Sequence, residues 1–120
     1  MCGIFLFTKN NNLNLNGKVF LQNLKHRGPD FQKIYRDNDV EIGHTLLSIR
    51  DTIDNSIQPV ITENGRYVIS FNGQIYNLKE IINKFNLPKD IFLDTTIISI
   101  LCNKLGVNFI HEIDGMFALI

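Results

Sequence analysis

The second residue of the chain is a cysteine that could supply both a nucleophile and a base. The chain begins Met1-Cys2-Gly3, and a small second residue allows an aminopeptidase to remove the initiator methionine. Removal would leave Cys2 with a free α-amine. Thiols and α-amines both titrate within about two pH units of neutrality, so such an amine can accept the thiol proton and activate the sulfur. Taken alone, a cysteine in this position is more often a small apolar residue that begins a buried strand.

The apolar pattern places Cys2 at the leading end of a strand. The run Gly3 to Phe7 is short, rich in Ile and Phe, and followed by a polar stretch that includes residues 10–16. Further short runs predict strands over residues 31–36, 40–48, 66–72 and 116–120, with a turn at 63–65. The dipeptide Asn72-Gly73 follows one of these runs, and an isolated Asn-Gly pair is usually a hairpin turn.

Three segments have helical spacing of apolar residues. They cover residues 17–25, which end at the polar corner 26–30, residues 78–85, with Asn77 as the predicted N-cap, and residues 94–105, which end at Gly106. Asp94 opens the last segment, where an aspartate is most often a cap that contributes about 1 kcal/mol. Strand runs followed by helical runs are typical of an α+β domain.

Composition excludes several classes of function. The 120 residues carry 12 Lys and Arg against 12 Asp and Glu, so the formal charge is zero and neither nucleic acid nor an anionic membrane is an expected partner. No apolar stretch approaches the roughly 18 residues that span a bilayer. Two cysteines a hundred residues apart lack metal-ligand spacing and are expected to remain thiols. We therefore expect a cytoplasmic protein with small-molecule or protein partners.

Five short motifs, in order along the chain, carry a resemblance to a known family. They are Cys2-Gly3-Ile4, the His26 to Asp30 block His-Arg-Gly-Pro-Asp, the Gly43 to Ile49 block, the Phe71 to Asn77 block and Asp94-Thr95. Gln58-Pro59 and the Asp114 to Ala118 block fit as well. Together they resemble the class II glutamine amidotransferase domain, and most closely the amino-terminal half of glutamine-hydrolysing asparagine synthetases.

The resemblance implies a fold and a domain organisation. The fold would be α+β, a four-layer αββα sandwich of the N-terminal nucleophile hydrolase type, incomplete at its C-terminus. Residues 1–120 would form a partial type-2 amidotransferase domain. The ATP-using synthetase domain of the family has no counterpart in these residues, so we expect no cofactor on this chain. ATP and Mg²⁺ would bind only to that missing domain or to a separate synthetase subunit.

The resemblance also implies roles for individual residues. Cys2 would attack the side-chain amide of glutamine, while the Asn72 amide and the Gly73 N–H would stabilise the oxyanion. Asp94 would hold the α-ammonium of glutamine. The other substrate-binding positions are Leu46, Ile49, Arg50 and Gln74. The Arg27 to Asp30 corner resembles a loop that closes over the substrate, whereas His44 and Tyr76 are interpreted as structural.

One substitution departs from the family pattern at the binding site. Leu46 stands where the family has an arginine that pairs with the α-carboxylate of glutamine, so we expect weak glutamine binding. Backbone N–H groups between Leu46 and Arg50 could replace that contact. Arg50 itself would lie roughly 13 Å from position 46 along a continuous strand, which makes it a poor substitute unless the segment bends. Gln74 and Thr96 replace glutamates that are common in asparagine synthetases.

These observations lead to one main functional hypothesis and two alternatives. The main hypothesis is the glutaminase portion of an asparagine-synthetase-like enzyme, which forms a thioester on Cys2 and supplies ammonia. The first alternative is a catalytically impaired remnant or binding module that keeps the fold. The second is an amidotransferase with another ammonia acceptor, such as a sugar phosphate, although the His26 to Asp30 block favours the asparagine branch.

Overall fold

The computed structural model describes residues 2–9, 15–49, 52–91 and 93–120, which form a mixed α/β structure with antiparallel sheets. Most of the polar stretch 10–16 lies outside the described residues. The strands are β1 Gly3–Thr8, β2 Phe31–Arg36, β3 Val40–Leu46, β4 Val60–Ile61, β5 Val68–Ile69, β6 Phe71–Ile75 and β7 Gly115–Leu119. The helices are α1 Gly17–Leu24, α2 Ile53–Ser56, α3 Leu78–Lys84 and α4 Asp94–Leu105, with 3-10 turns at Lys25–Arg27 and Gly106–His111.

The first sheet has the order β1-β3-β2 and supports the N-terminus of the chain. Helix α1 packs on β1 and β3. The Phe20 ring of this helix lies 5.3 Å from the Phe5 ring and 5.4 Å from the Phe7 ring, between centroids. Asn16 caps the helix by accepting a hydrogen bond from the Lys18 N–H. This packing fixes the strand whose leading end carries Cys2.

The second sheet pairs β6 with β7 and contributes to the largest hydrophobic cluster. Ile97, Ile98 and Leu101 of α4 are fully buried there and meet Phe71 and Ile75 of β6. The predicted helical stripe is therefore confirmed, and α4 has the predicted bounds. Strand β1 of the first sheet also contacts β6, so the two sheets lie close together.

The prediction of one strand over residues 66–72 is wrong. The chain instead forms β5 and β6, because it changes its pairing partner at Ser70. Strand β5 pairs with β4, whereas Ser70 exchanges backbone hydrogen bonds with Ile120 and opens the β6–β7 ladder. Such a change of partner depends on distant segments, which explains why a local pattern did not reveal it.

Two further predictions also need correction. Strand β3 ends at Leu46 rather than Ser48, because the N–H groups of residues 47 and 48 turn toward side chains instead of a neighbouring strand. Asn77 occupies the N-cap position of α3, as predicted, but its side chain makes no capping hydrogen bond. It accepts a hydrogen bond from the Asp114 N–H and donates one to the Glu112 carbonyl, and so holds the segment before β7.

The predicted edge strand at the end of the chain has the bounds Gly115–Leu119. It pairs with β6 on one side, and no other described strand pairs with it. None of the helices in the described ranges is long and apolar enough to cross a bilayer.

Candidate functional site

A cavity of about 540 Å³ collects the predicted site residues from distant parts of the chain. It is lined by Cys2, Leu46, Ile49, Asn72, Gly73, Gln74 and Asp94, together with residues of α2, α4 and the segment 57–63. These are all the predicted site residues that the structure describes. Arg50, the remaining one, lies outside the described residues. The cavity volume falls in the range of about 300–1,000 Å³ that is usual for small-molecule sites.

Cys2 is half-buried and held at the end of β1 by three contacts. The Leu47 N–H points at the Cys2 sulfur, with 3.4 Å between N and Sγ. Arg27 Nε donates to the Cys2 carbonyl at 3.1 Å, and the next N–H, that of Gly3, donates to the Thr45 hydroxyl at 3.0 Å. The sulfur therefore has a fixed position between the backbone N–H and the backbone carbonyl of Leu47.

The Arg27 to Asp30 corner contacts the segment that follows β3. The Asp30 N–H donates to the Leu46 carbonyl at 3.0 Å, and the Asp30 carboxylate accepts from the Ser48 N–H at 2.8 Å. A side chain at Gly28 would overlap the Thr45 backbone, so the corner requires a glycine there. These contacts show what the sequence did not reveal, namely that the corner positions Cys2 and Leu46. Closure over a substrate stays a prediction.

Asn72 and Gly73 lie within β6, so the interpretation of this pair as a hairpin turn is wrong. Asn72 is paired with Ala118 and Gly73 with Phe117 of β7. A Cβ at position 73 would overlap the Phe117 side chain and the Met116 carbonyl, so the close approach of β7 requires glycine there. Both residues line the cavity, as does Gln74.

Gln58 supports strand β6 by a hydrogen bond. The sequence indicated only that Gln58-Pro59 matches the family pattern. The Gln58 side-chain oxygen accepts a hydrogen bond from the Phe71 N–H at 2.7 Å, and the residue is buried. Phe71 directly precedes Asn72. The neighbouring Pro59 carbonyl accepts from Lys33 Nζ at 3.0 Å, which ties the same loop to β2. Gln58 therefore fixes the position of β6 beside the cavity.

Asp94 is the first residue of α4 and is buried at the cavity wall. Leu93 takes the N-cap position, so the prediction of Asp94 as the cap is wrong by one residue. A carboxylate in the first turn of a twelve-residue helix is stabilised by the helix dipole. Asp94 thus places a carboxyl group in the cavity wall, beside the positive end of the helix dipole.

Part of the cavity lining is apolar. Leu46, Leu47 and Ile49, which we call the apolar wall, line the cavity next to Cys2. Leu46 is 4% exposed, whereas Ile49 is 75% exposed, so the apolar wall runs from the buried floor to the surface. Among the described residues that line the cavity, the charged side chains are those of Glu63 and Asp94, both acidic.

His44 lies on β3, two residues before Leu46, and is 1% exposed. Burial lowers the pKa of His44 to about 4, an effect that the Phe71 backbone partly opposes. The imidazole is therefore neutral at pH 7, and its position in the interior fits its interpretation as structural. It is not among the residues that line the cavity.

The second cysteine differs from Cys2 in its surroundings. Cys102 is buried in the hydrophobic cluster, and burial raises the pKa of its thiol, which makes it unreactive. Both cysteines are free thiols, as predicted. Within the described ranges, no group of three or more His, Cys, Asp or Glu side chains is arranged to hold a metal ion.

Comparison with known proteins identifies the family of this chain. A family model described as a glutamine amidotransferase domain matches residues 1–120. The chain belongs to the glutamine amidotransferase domain family. This membership confirms the resemblance carried by the five motifs.

Several relatives of this amidotransferase domain are asparagine synthetases. The chain is 36% identical over 100 residues to "Asparagine synthetase [glutamine-hydrolyzing]" of Triphysaria versicolor, covering 81% of this chain and 17% of that protein. It is 33% identical over 113 residues to "Putative asparagine synthetase [glutamine-hydrolyzing] 2" of Methanocaldococcus jannaschii, covering 79% and 22%. It is 35% identical over 99 residues to "Asparagine synthetase [glutamine-hydrolyzing] 2" of Bacillus subtilis, covering 80% and 13%. The chain thus spans a quarter or less of the length of these relatives.

Proposed function

We propose that this domain hydrolyses a glutamine side-chain amide to a carboxylate and ammonia through a thioester on Cys2. The observation that carries the proposal is the single cavity that brings Cys2, Asn72, Gly73 and Asp94 together. These residues come from β1, β6 and the start of α4, so their convergence is a property of the fold. Membership of the amidotransferase family supports the same activity and does not favour a non-catalytic remnant.

The proposed reaction begins with attack of the Cys2 sulfur on the amide carbon. Once Met1 has been removed, the α-amine of Cys2 takes the thiol proton. The carbonyl oxygen becomes an oxyanion that accepts hydrogen bonds from the Asn72 side-chain amide and the Gly73 N–H. The carbon–nitrogen bond then breaks, and the α-ammonium returns its proton to the departing ammonia.

Hydrolysis of the thioester completes the cycle. Water attacks the thioester carbon, the carbon–sulfur bond breaks, and the new carboxylate leaves as the thiol is regenerated. The Leu47 N–H, whose nitrogen lies 3.4 Å from the sulfur, holds the sulfur in place at both stages. Arg27 acts as a positioning residue, because it holds the Cys2 carbonyl at 3.1 Å and so fixes the α-amine that must exchange the proton.

The wider context is also a proposal. We propose that ammonia from this domain serves asparagine synthesis in the cytoplasm, on a synthetase domain or a separate synthetase subunit. ATP and Mg²⁺ would act there, and this chain would need no cofactor. We also propose that the sheets and helices form the four-layer αββα sandwich. The contacts of α1 with the first sheet, β1 with β6, and β6 with α4 support that order of layers.

The test measures the ammonia that the full natural polypeptide releases from a glutamine side-chain amide. The polypeptide is expressed so that Met1 can be removed. Cys2→Ala should reduce release to the uncatalysed background, because it removes the nucleophile. Cys102→Ala is the matched control, since that thiol is buried away from the cavity and its loss should leave kcat within about threefold. Equal activity of the parent and Cys2→Ala, measured by coupled detection of ammonia, would exclude the proposed reaction.

A further inference from the structure

We infer that the preferred substrate has the side-chain amide and α-ammonium of glutamine but a neutral group in place of its α-carboxylate. The N-terminal glutamine of a peptide has this chemistry, because its carboxyl carbon forms a peptide bond. This inference rests on the proposed function and adds a substrate class to it. It follows from the apolar wall, which lines the same cavity beside Cys2.

The first observation is the chemistry of position 46. Leu46 is buried, lines the cavity and lies next to Leu47, whose N–H reaches the Cys2 sulfur. A leucine side chain offers no hydrogen bond, so a carboxylate placed against it would lose hydration without compensation. An amide group carries no charge and has a much smaller desolvation cost at the same place.

The second observation is that the neighbouring backbone donors are already engaged. The Leu47 N–H donates to the Cys2 sulfur, and the Ser48 N–H donates to the Asp30 carboxylate at 2.8 Å. The expectation that N–H groups of this segment replace the missing arginine is therefore not supported at these two positions. Asp30 also places a negative charge beside the segment, which disfavours a second carboxylate there.

The third observation is the charge of the cavity. The charged side chains among its described lining residues are those of Glu63 and Asp94, and both are acidic. Such a cavity attracts an ammonium group and repels a free carboxylate. A peptide with an N-terminal glutamine presents a net positive charge at this end, whereas free glutamine brings both charges.

The fourth observation is the available room. The volume of about 540 Å³ is in the range of sites for drug-sized ligands, which exceed a single amino acid. At the rim, Ile49 is 75% exposed and Met116 is 64% exposed. A chain that leaves the α-carbon of glutamine along the apolar wall would thus pass from the cavity to solvent over apolar side chains.

The reaction on such a substrate is the proposed hydrolysis without a further reagent. Water supplies the oxygen of the new carboxylate, the carbon–nitrogen bond of the side-chain amide breaks, and the products are a peptide with N-terminal glutamate and ammonia. The peptide bond itself stays intact. The mass of the peptide increases by about one dalton, which distinguishes it from spontaneous cyclisation, where ammonia is lost and no water is added.

The test measures binding to Cys2→Ala in the full natural polypeptide, by calorimetry or NMR titration. The probes are free L-glutamine, its α-(N-methylamide) and a glutaminyl-alanine dipeptide. We expect Kd values at least about tenfold lower for the methylamide and the dipeptide than for glutamine, since the neutral group avoids an unpaired carboxylate. Adding Leu46→Arg should reverse this order, while the volume-conserving control Leu46→Met should keep it.

Equal or tighter binding of free glutamine overturns the inference, and so does a lack of measurable binding of the methylamide. An Arg50→Ala variant identifies the source of any carboxylate binding, and loss of glutamine affinity in that variant would assign it to Arg50 and reject the inference. The ratio of the Kd values for free glutamine and its methylamide is measured in Cys2→Ala, where Leu46 is unchanged. Misfolding of Leu46→Arg therefore does not affect the conclusion. Turnover is read separately, so failure of the Cys2 reaction and failure of the substrate preference give different results.

Discussion

The cavity lining contains two groups of residues that differ in how closely they match the family motifs. The side formed by Cys2, Asn72, Gly73 and Asp94, which we call the reaction wall, keeps every group that the family motifs predict. The apolar wall of Leu46, Leu47 and Ile49 lacks the arginine expected at position 46. The position expected to bind the α-carboxylate thus lies on a different segment from the proposed catalytic groups and from Asp94, so it can change while they stay intact. Because the reaction wall is retained, we interpret the leucine at position 46 of the apolar wall as a change in specificity.

The largest effect is expected at the reaction wall. Asn72→Ala removes a proposed oxyanion donor, so kcat should fall by about 100- to 1,000-fold with little change in KM. Steady-state kinetics with the better substrate would measure both. Asn23→Ala, at an exposed position of α1 outside the cavity lining, is the matched control and should leave kcat within about threefold. A raised KM with unchanged kcat in Asn72→Ala would assign this residue to ground-state binding instead.

A second prediction concerns His44, which lies on the strand that carries the apolar wall. Its folded-state pKa, about 4, is below the usual 6.5, so protons bind more tightly to the unfolded chain. Stability is therefore full above pH 6.5 and is lost as the pH falls toward 4, by up to about 3 kcal/mol. Urea unfolding at a series of pH values would measure this slope.

Two variants separate the effect of His44 on the pH dependence of stability from the effect of the Asp and Glu side chains. His44→Phe should flatten the slope between pH 6.5 and 4, because it removes the buried group that resists protonation. His111→Gln replaces an exposed histidine and should leave the slope unchanged. An identical slope in the parent and His44→Phe would show that other groups control the acid sensitivity.

The smallest effect is expected at the support of the reaction wall. Gln58→Leu leaves the buried Phe71 N–H without its acceptor, so the free energy of unfolding should fall by about 1–3 kcal/mol. Because Phe71 adjoins Asn72, kcat should fall as well. Gln22→Leu, at an exposed position of α1, is the control and should stay within about 0.5 kcal/mol. Unchanged stability and kcat in Gln58→Leu would show that this hydrogen bond contributes to neither.

The sequence predicted elements well where local periodicity decides them. Helix α4 has the predicted bounds, because its apolar stripe and the following Gly106 are local signals. The division into β5 and β6 was missed, because it depends on the pairing of Ser70 with Ile120, fifty positions away. The hairpin turn weighed as an alternative for Asn72-Gly73 also rests on a local signal, and the pairing of these residues with β7 excludes it.

The candidate site shows the same limit. Motif matching found Cys2, Asn72, Gly73 and Asp94, and the structure places them in one cavity. The groups that hold them were not assigned, because their contacts join distant residues. Arg27 reaches the Cys2 carbonyl across 25 positions, and Gln58 reaches the Phe71 N–H across 13. Contacts of this kind require the folded chain and have no local signature.

The most direct test of the central claim is mass spectrometry of the natively expressed polypeptide after acid quenching during turnover. The account predicts a chain without Met1 that carries an acyl group from the amide substrate on Cys2, located by peptide mapping, with Cys102 unmodified as the internal control. Free glutamine and its α-(N-methylamide) should give the same site of attachment. A retained Met1, or ammonia release with no acyl group on Cys2, would contradict the account.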